Sequence, residues 1–307
     1  MSNFINPFTD WGFKRLFGQE FSKDLLIDFL NDLFVDELHI KDVTFKDKEQ
    51  LPETKDLRGC VFDIYCETDT GEYFIVEMQN NYVPLFVNRT LYYASKAIEA
   101  QREKGKTRQF PTLYDLVPVY VVCFMNFIPR EGEEDEIKKF KTDIMLCDKE
   151  SGEVFTDKLR FVYLRIPLFD KKTEEECVTN FDKWIYVLKH MEALTRMPFM
   201  AQKKIFKRLA ELADSRSLSK EEQEKYDESR KVVDDYYSGL VGSFMAGEKT
   251  GMEKGIKKGI ETGIKKGIEK NKIDSAKRLL GMGLTPEQVA QGMDLPLAEV
   301  LKLSQDK

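Results

Sequence analysis

Residues 60–67 and 73–79 read as two strands joined by Asp69, Thr70 and Gly71. A three-residue hairpin loop places its third residue in the left-handed region, where glycine pays no steric cost. That loop sets Glu72 opposite Thr68, so Asp63 falls directly opposite Glu77. Their Cβ atoms are then about 4.5–5.5 Å apart. Side chains alternate along a strand. Tyr73, Ile75, Glu77 and Gln79 therefore share one face, and Phe74, Val76 and Met78 the other. On the partner strand Cys60, Phe62, Ile64 and Cys66 form an apolar face, with Val61, Asp63 and Tyr65 opposing it.

Like charges directly opposed destabilise a sheet, and burial adds a desolvation cost. A divalent cation converts the repulsion into ligation, and carboxylates with a carbonyl and water suit Mg²⁺ or Mn²⁺. Two other readings of the hairpin stay open. Both acids can point into water from a solvated outer face. Two carboxyls at this separation also match a retaining glycosidase, although a chain with two tryptophans offers no row of them for sugar stacking.

The rest of the composition narrows the chemistry. Two histidines, His39 and His190, starve a histidine-rich metal site and a Ser-His-Asp triad. Five cysteines without CxxC spacing argue against a disulfide framework or zinc knuckle and for reduced thiols in a cytoplasmic protein. The first residues, MSNFINPFTDWGFKRLF, lack the apolar region of a signal peptide, and no apolar run is long enough to span a membrane. A net charge of −6 says little about partners, because a local basic patch can still bind nucleic acid.

Along the chain, Thr9 or Asp10 offers a helix cap and Gly18 a helix end. Leu25, Leu26, Phe29, Leu30, Leu33 and Phe34 recur at helical spacing. A strand is expected in IKDVTFKD, then a polar loop at 48–59, the hairpin, and an amphipathic helix from Phe86 to about Gln101. PVYVVCFMNF is apolar throughout, as for a strand buried on both faces. An acidic loop at 129–136 precedes strands in FKTDIMLCD and RFVYLRIPLF, and the chain after Asp170 reads as helical. The order argues a mixed α/β core with an added helical region.

Asp63 followed by Glu77-Met78-Gln79 resembles the D…(D/E)xK signature of PD-(D/E)XK nucleases, with glutamine at the lysine position. PFTDWGFKRLFG, DLLIDFLNDLF, EMQN and FVNRTLYYASKAI in this order resemble the Rpn family of recombination-promoting nucleases, over about residues 4–128. The resemblance implies a restriction-endonuclease-like αβββαβ core with a helical C-terminal region. It implies Mg²⁺-dependent (or Mn²⁺-dependent) cleavage of DNA phosphodiesters, linked to recombination or transposition. Asp63, Glu77 and the Met78 carbonyl would hold the metal, and Gln79 would hold the attacking water or a phosphate oxygen. An amide supplies no positive charge. Arg89 and Lys96, seven residues apart on one helix face, are the candidates to contact the phosphate. Asp10 and Lys14 match the family's first-helix motif, with Asp10 read as an N-cap ahead of an extra metal ligand.

Toward the C-terminus, glycines recur every fourth residue from Gly247 to Gly267, with Ile256, Ile260, Ile264 and Ile268 beside them. Small residues admit a close partner helix, while each glycine costs about 1 kcal/mol of helix stability relative to alanine. Either a self-associating helix through 247–270 or a linker fits. Residues 247–280 carry ten Lys/Arg against five Asp/Glu, an excess that can also follow phosphates. The expected divisions are a nuclease-like core at 1–170, a helical region at 171–246, the glycine repeat at 247–272 and a small helix-turn-helix-like tail at 273–307. The expected function is a DNA endonuclease. The alternative is a nuclease-like DNA-binding or assembly protein with weak or no cleavage.

Overall fold

The computed structural model describes residues 3–46, 49–50, 60–101, 116–127 and 139–305. Its residues fall into two units, 1–234 and 235–307.

In the first unit, α1 (Asp10–Phe17) and α2 (Lys23–Leu33) lead into β1 (Val43–Phe45), followed by β2 (Glu49–Gln50), β3 (Cys60–Val61), β4 (Ile64–Thr68) and β5 (Tyr73–Gln79). Helix α3 (Phe86–Ala100) crosses over to β6 (Val119–Met125), and β7 (Lys141–Cys147) and β8 (Val154–Arg165) complete the strands. Helices α4 (Asn180–His190) and α5 (Lys204–Ala213) follow, and then α6 (Lys220–Gly281) begins. Six strands form one mixed sheet in the order β1-β4-β5-β6-β8-β7. β5, β6 and β8 run parallel, with antiparallel partners on both sides.

The sheet separates two cores. On one face Phe74, Val76, Tyr120, Val122 and Phe124 pack with α1, α2, α4 and α5. On the other, Ile75, Val121, Cys123 and Met125 pack under Phe86, Ala94 and Ala97 of α3. Every residue of β6 is buried, so its uninterrupted apolar sequence does serve two faces. This α/β architecture is consistent with a PD-(D/E)XK nuclease-like fold, as the resemblance implies.

The hairpin register holds: Ile64 pairs with Val76 and Tyr65 with Ile75, and Gly71 has φ +100°. The strand itself does not run unbroken from 60 to 67. Residues 62–63 leave the ladder, and Phe62 packs on Tyr65 and Tyr93 under α3 rather than beside Ile64 and Cys66. A break in the alternation at Asp63 turns Phe62 to the other core. The cap of α1 is Thr9, not Asp10. Thr9 Oγ1 accepts from Gly12 N–H at 3.0 Å and donates to the Asn6 carbonyl at 3.0 Å. The expected loop at 48–59 is described only at Glu49–Gln50, which pairs with β3. The acidic loop at 129–136 lies outside the described residues.

In the second unit, the later part of α6 is followed by α7 (Pro286–Met293) and α8 (Leu297–Gln305), which share a small core of Ala276, Val289 and Val300. Thr285 caps α7 in a reciprocal capping box with Gln288, with Pro286 opening the helix. No described helix is long and apolar enough to cross a membrane. The described cysteine side chains, Cys66, Cys123, Cys147 and Cys177, are all free thiols.

Candidate active site

The break at residues 62–63 is what brings the two carboxylates together. Freed from the ladder, the Asp63 N–H donates to Glu77 Oε1 at 3.3 Å, and Asp63 Oδ2 accepts from the Met78 N–H at 2.8 Å. Glu77 lies on a central strand beside Cys123 of β6 and is only 4% exposed. Burial, reinforced by the Asp63 charge, pushes its carboxyl up to about 8. Burial likewise raises Asp63, against the pull of the Met78 N–H and Lys14. The Cys123 thiol beneath them is raised as well, by burial and then by Glu77.

Two cations bear on the pair. Arg89, at the end of the first turn of α3, donates to Gln79 Oε1 at 2.5 Å, and its guanidinium lies over the Phe86 ring at 4.9 Å and the Tyr93 ring at 5.8 Å. Its buried Nε has no hydrogen-bond partner among the described residues. Lys14 of α1 places Nζ 2.5 Å from Asp10 Oδ1 and 4.0 Å from Asp63 Oδ1. Gln79 completes the link by donating from Nε2 to the Asn81 carbonyl at 2.9 Å.

Lys96 lies further along α3. It pairs with Glu99 at 2.7 Å, with Nζ 5.9 Å from the Tyr92 ring centroid, one turn or less along its own helix. Two helical turns put about 10 Å along the axis between it and Arg89.

A cleft of about 430 Å³ opens beside the pair, lined by Asp10, Trp11, Met78 and Gln79 on one side and by Ser229 and Val232 of α6 on the other. The start of α6 is held there by the Trp11 N–H donating to Ser229 Oγ at 3.1 Å and by an Arg15–Glu222 ion pair. The spacing of the hairpin gives no hint of this wall, which depends on contacts more than 200 residues apart in sequence. Asn126 is also silent in the sequence. Its side chain donates to Asn80 Oδ1 at 2.6 Å, and its N–H donates to the Gln79 carbonyl at 2.8 Å, bracing the end of β5.

The donor set suits a hard divalent cation in kind. It offers two carboxylates whose mutual repulsion and burial favour a positive partner, with carbonyl and water oxygens to complete a shell. Among the described residues no group of three His, Cys, Asp or Glu side chains is gathered as a metal cluster, and Asp10 is turned to Lys14 instead.

Residues 7–242 match the family model described as PD-(D/E)XK nuclease family transposase. No curated protein and no solved structure matches. The match spans most of the chain, from the cap of α1 through the carboxylate pair and into α6, and the chain belongs to the PD-(D/E)XK nuclease family transposases.

Proposed function

We propose that the protein is a metal-dependent DNA endonuclease whose reaction centre is the Asp63–Glu77 pair. Family membership supports a nuclease-like role on DNA, and nucleases of this kind typically use divalent metals. The observation that carries the reading is a pair of opposed carboxylates, Glu77 buried and Asp63 half-buried, at the carboxyl end of parallel strand β5, beside an open cleft. Ligands of α/β sheets bind at such strand ends.

In this reading Asp63, Glu77 and the Met78 carbonyl hold Mg²⁺ or Mn²⁺. The ion supplies Lewis acidity at the phosphate and a lower pKa for bound water. The chain supplies the rest. Glu77 and Asp63 must both be ionised to hold the ion, so their raised pKa values set a lower pH limit. Gln79 fixes the Arg89 guanidinium, which presents positive charge toward the pair. Water adds its oxygen to phosphorus, one P–O bond to sugar breaks, and the departing oxygen leaves as an alcohol, its proton balanced by the one water gives up. Lys96, half-buried on α3 beside Glu99, is a further candidate to contact the DNA backbone.

Self-association through 247–270 belongs to the same proposal. Ile256, Ile260, Ile264 and Ile268 are each more than half exposed, and a Cβ added at any glycine from Gly247 to Gly267 meets nothing within 4 Å. A second copy covering this stripe would hold two reaction centres together, as double-strand cleavage requires.

The test is cleavage of a labelled DNA duplex with Mg²⁺, with Mn²⁺ and with EDTA. Fragments in both metal arms and none in EDTA support the reading. Binding without fragments in any arm favours a DNA-binding or assembly protein instead.

A further inference from the structure

The nuclease signature that this chain resembles ends in lysine, and here the position is Gln79. An amide carries no charge to set against a phosphorane. Arg89 is the obvious replacement, yet it is pinned. One of its N–H groups donates to Gln79 Oε1, and the guanidinium lies against the Phe86 and Tyr93 rings, which hold it in place.

Lys14 is placed differently. Its Nζ stands 4.0 Å from Asp63 Oδ1, beyond hydrogen-bond length, so the attraction is one of charge and not a closed contact. Asp10, 64% exposed, holds one of its three N–H donors and lines the cleft together with Met78 and Gln79. The first turn of α1 is also built to fixed geometry. Thr9 is fully buried and caps it, and Gly12 lets the Asn6 carbonyl approach so closely that an added Cβ would lie 2.2 Å from that oxygen. An ordinary surface i,i+4 ion pair needs no such support.

We propose that Lys14, delivered by α1 rather than by the strand, supplies the positive charge missing at Gln79 and contacts the scissile phosphate, with Asp10 as its positioning residue. The proposal rests on the nuclease reading above. Lys14 transfers no proton. It neutralises charge on a non-bridging oxygen while the new P–O bond forms and the old one breaks. A lysine is a compact point charge on a flexible stem and can follow that oxygen.

The experiment compares wild type, Lys14→Met and Lys14→Arg in duplex cleavage with Mg²⁺ and in duplex binding in EDTA. Circular dichroism checks the fold of each. Lys14→Met should lower kcat about a hundredfold or more, with KM within a fewfold, the range seen when one preorganised donor to a transition-state oxyanion is lost. Its plot of log binding constant against log salt should be shallower by about 0.9, one phosphate contact. Lys14→Arg should keep kcat within about tenfold of wild type. If Lys14→Met cleaves within threefold of wild type, or Lys14→Arg is as inactive as Lys14→Met, the assignment is overturned. A wild type that cuts no DNA in either metal overturns the nuclease reading and takes this proposal with it. Cleavage by wild type and by Lys14→Met alike overturns this proposal alone.

Discussion

Asp63 and Glu77 grip each other's strands: the Asp63 N–H reaches Glu77 Oε1 at 3.3 Å, while Asp63 Oδ2 takes the N–H of Met78 at 2.8 Å. Each carboxylate thus satisfies backbone exposed by the break at residue 63, and each brings its charge toward the other. The arrangement is ordered and electrostatically unfavourable at once. Such a site is fixed in place by hydrogen bonds and left short of positive charge.

The first consequence is pH-dependent stability without metal. Glu77 has its folded pKa raised from 4.5 to about 8. Between those values the folded state binds more protons than the unfolded state, so stability falls as pH rises. The contribution is complete below about 4.5 and lost as pH passes 8. Denaturant titration of protein in EDTA should show stability decreasing across this window, by at most about 1.4 kcal/mol per pH unit for one proton. Glu77→Gln should flatten that slope. An equal slope in Glu77→Gln would place the titration elsewhere.

Asp63→Asn keeps an acceptor for the Met78 N–H and removes the charge. In EDTA at pH 8 it should be as stable as wild type or more stable, by up to about 1 kcal/mol, because a like-charge pair is gone. A fall in Tm of many degrees would mean that Lys14 and Arg89 already neutralise the pair as a structural ion cluster.

Gly12→Ala should destabilise the first unit by about 2 kcal/mol or more, since the added Cβ meets the Asn6 carbonyl and Thr9 Oγ1 at 2.2 and 2.7 Å. Thr9→Ala should cost about 1 kcal/mol through the lost cap. Equilibrium denaturation measures both. An ordering in which Thr9→Ala is severe and Gly12→Ala neutral would contradict the close approach.

Gln79→Lys should retain the fold and metal-dependent cleavage, since position 79 lines the cleft and is partly exposed. It should also lower Tm, because the Arg89 contact is replaced by a like charge. Loss of cooperative unfolding would show that the Gln79–Arg89 bond is required for the core.

How much of this the sequence shows depends on the range of the interactions involved. The opposition of residues 63 and 77 is legible because turn chemistry and a period of two are local, and glycine in the left-handed region leaves one register. β6 is legible because burial on both faces needs seven consecutive apolar residues. Phe62 is misread because alternation presumes an unbroken ladder, whereas Asp63 leaves the ladder to reach the Met78 N–H. The α6 wall of the cleft depends on Trp11–Ser229 and Arg15–Glu222, contacts between ends of the unit that no local period encodes.

The glycine repeat has its own test. Gly255→Leu, Gly259→Leu and Gly263→Leu together raise helix propensity and fill the surface a second helix would need. Light scattering should show a shift from a multimer to monomer, and cleavage products should move from double-strand cuts to nicks. A wild type that is already monomeric at tens of micromolar would contradict the assembly proposal and leave the carboxylate site untouched.

The most direct measurement of the central claim is cleavage of supercoiled plasmid by wild type and Asp63→Ala at matched Mg²⁺, with EDTA controls and circular dichroism on both proteins. Wild type should convert the plasmid to nicked and linear forms only when metal is present, and a folded Asp63→Ala should leave it supercoiled. Equal cleavage by a folded Asp63→Ala would contradict that claim.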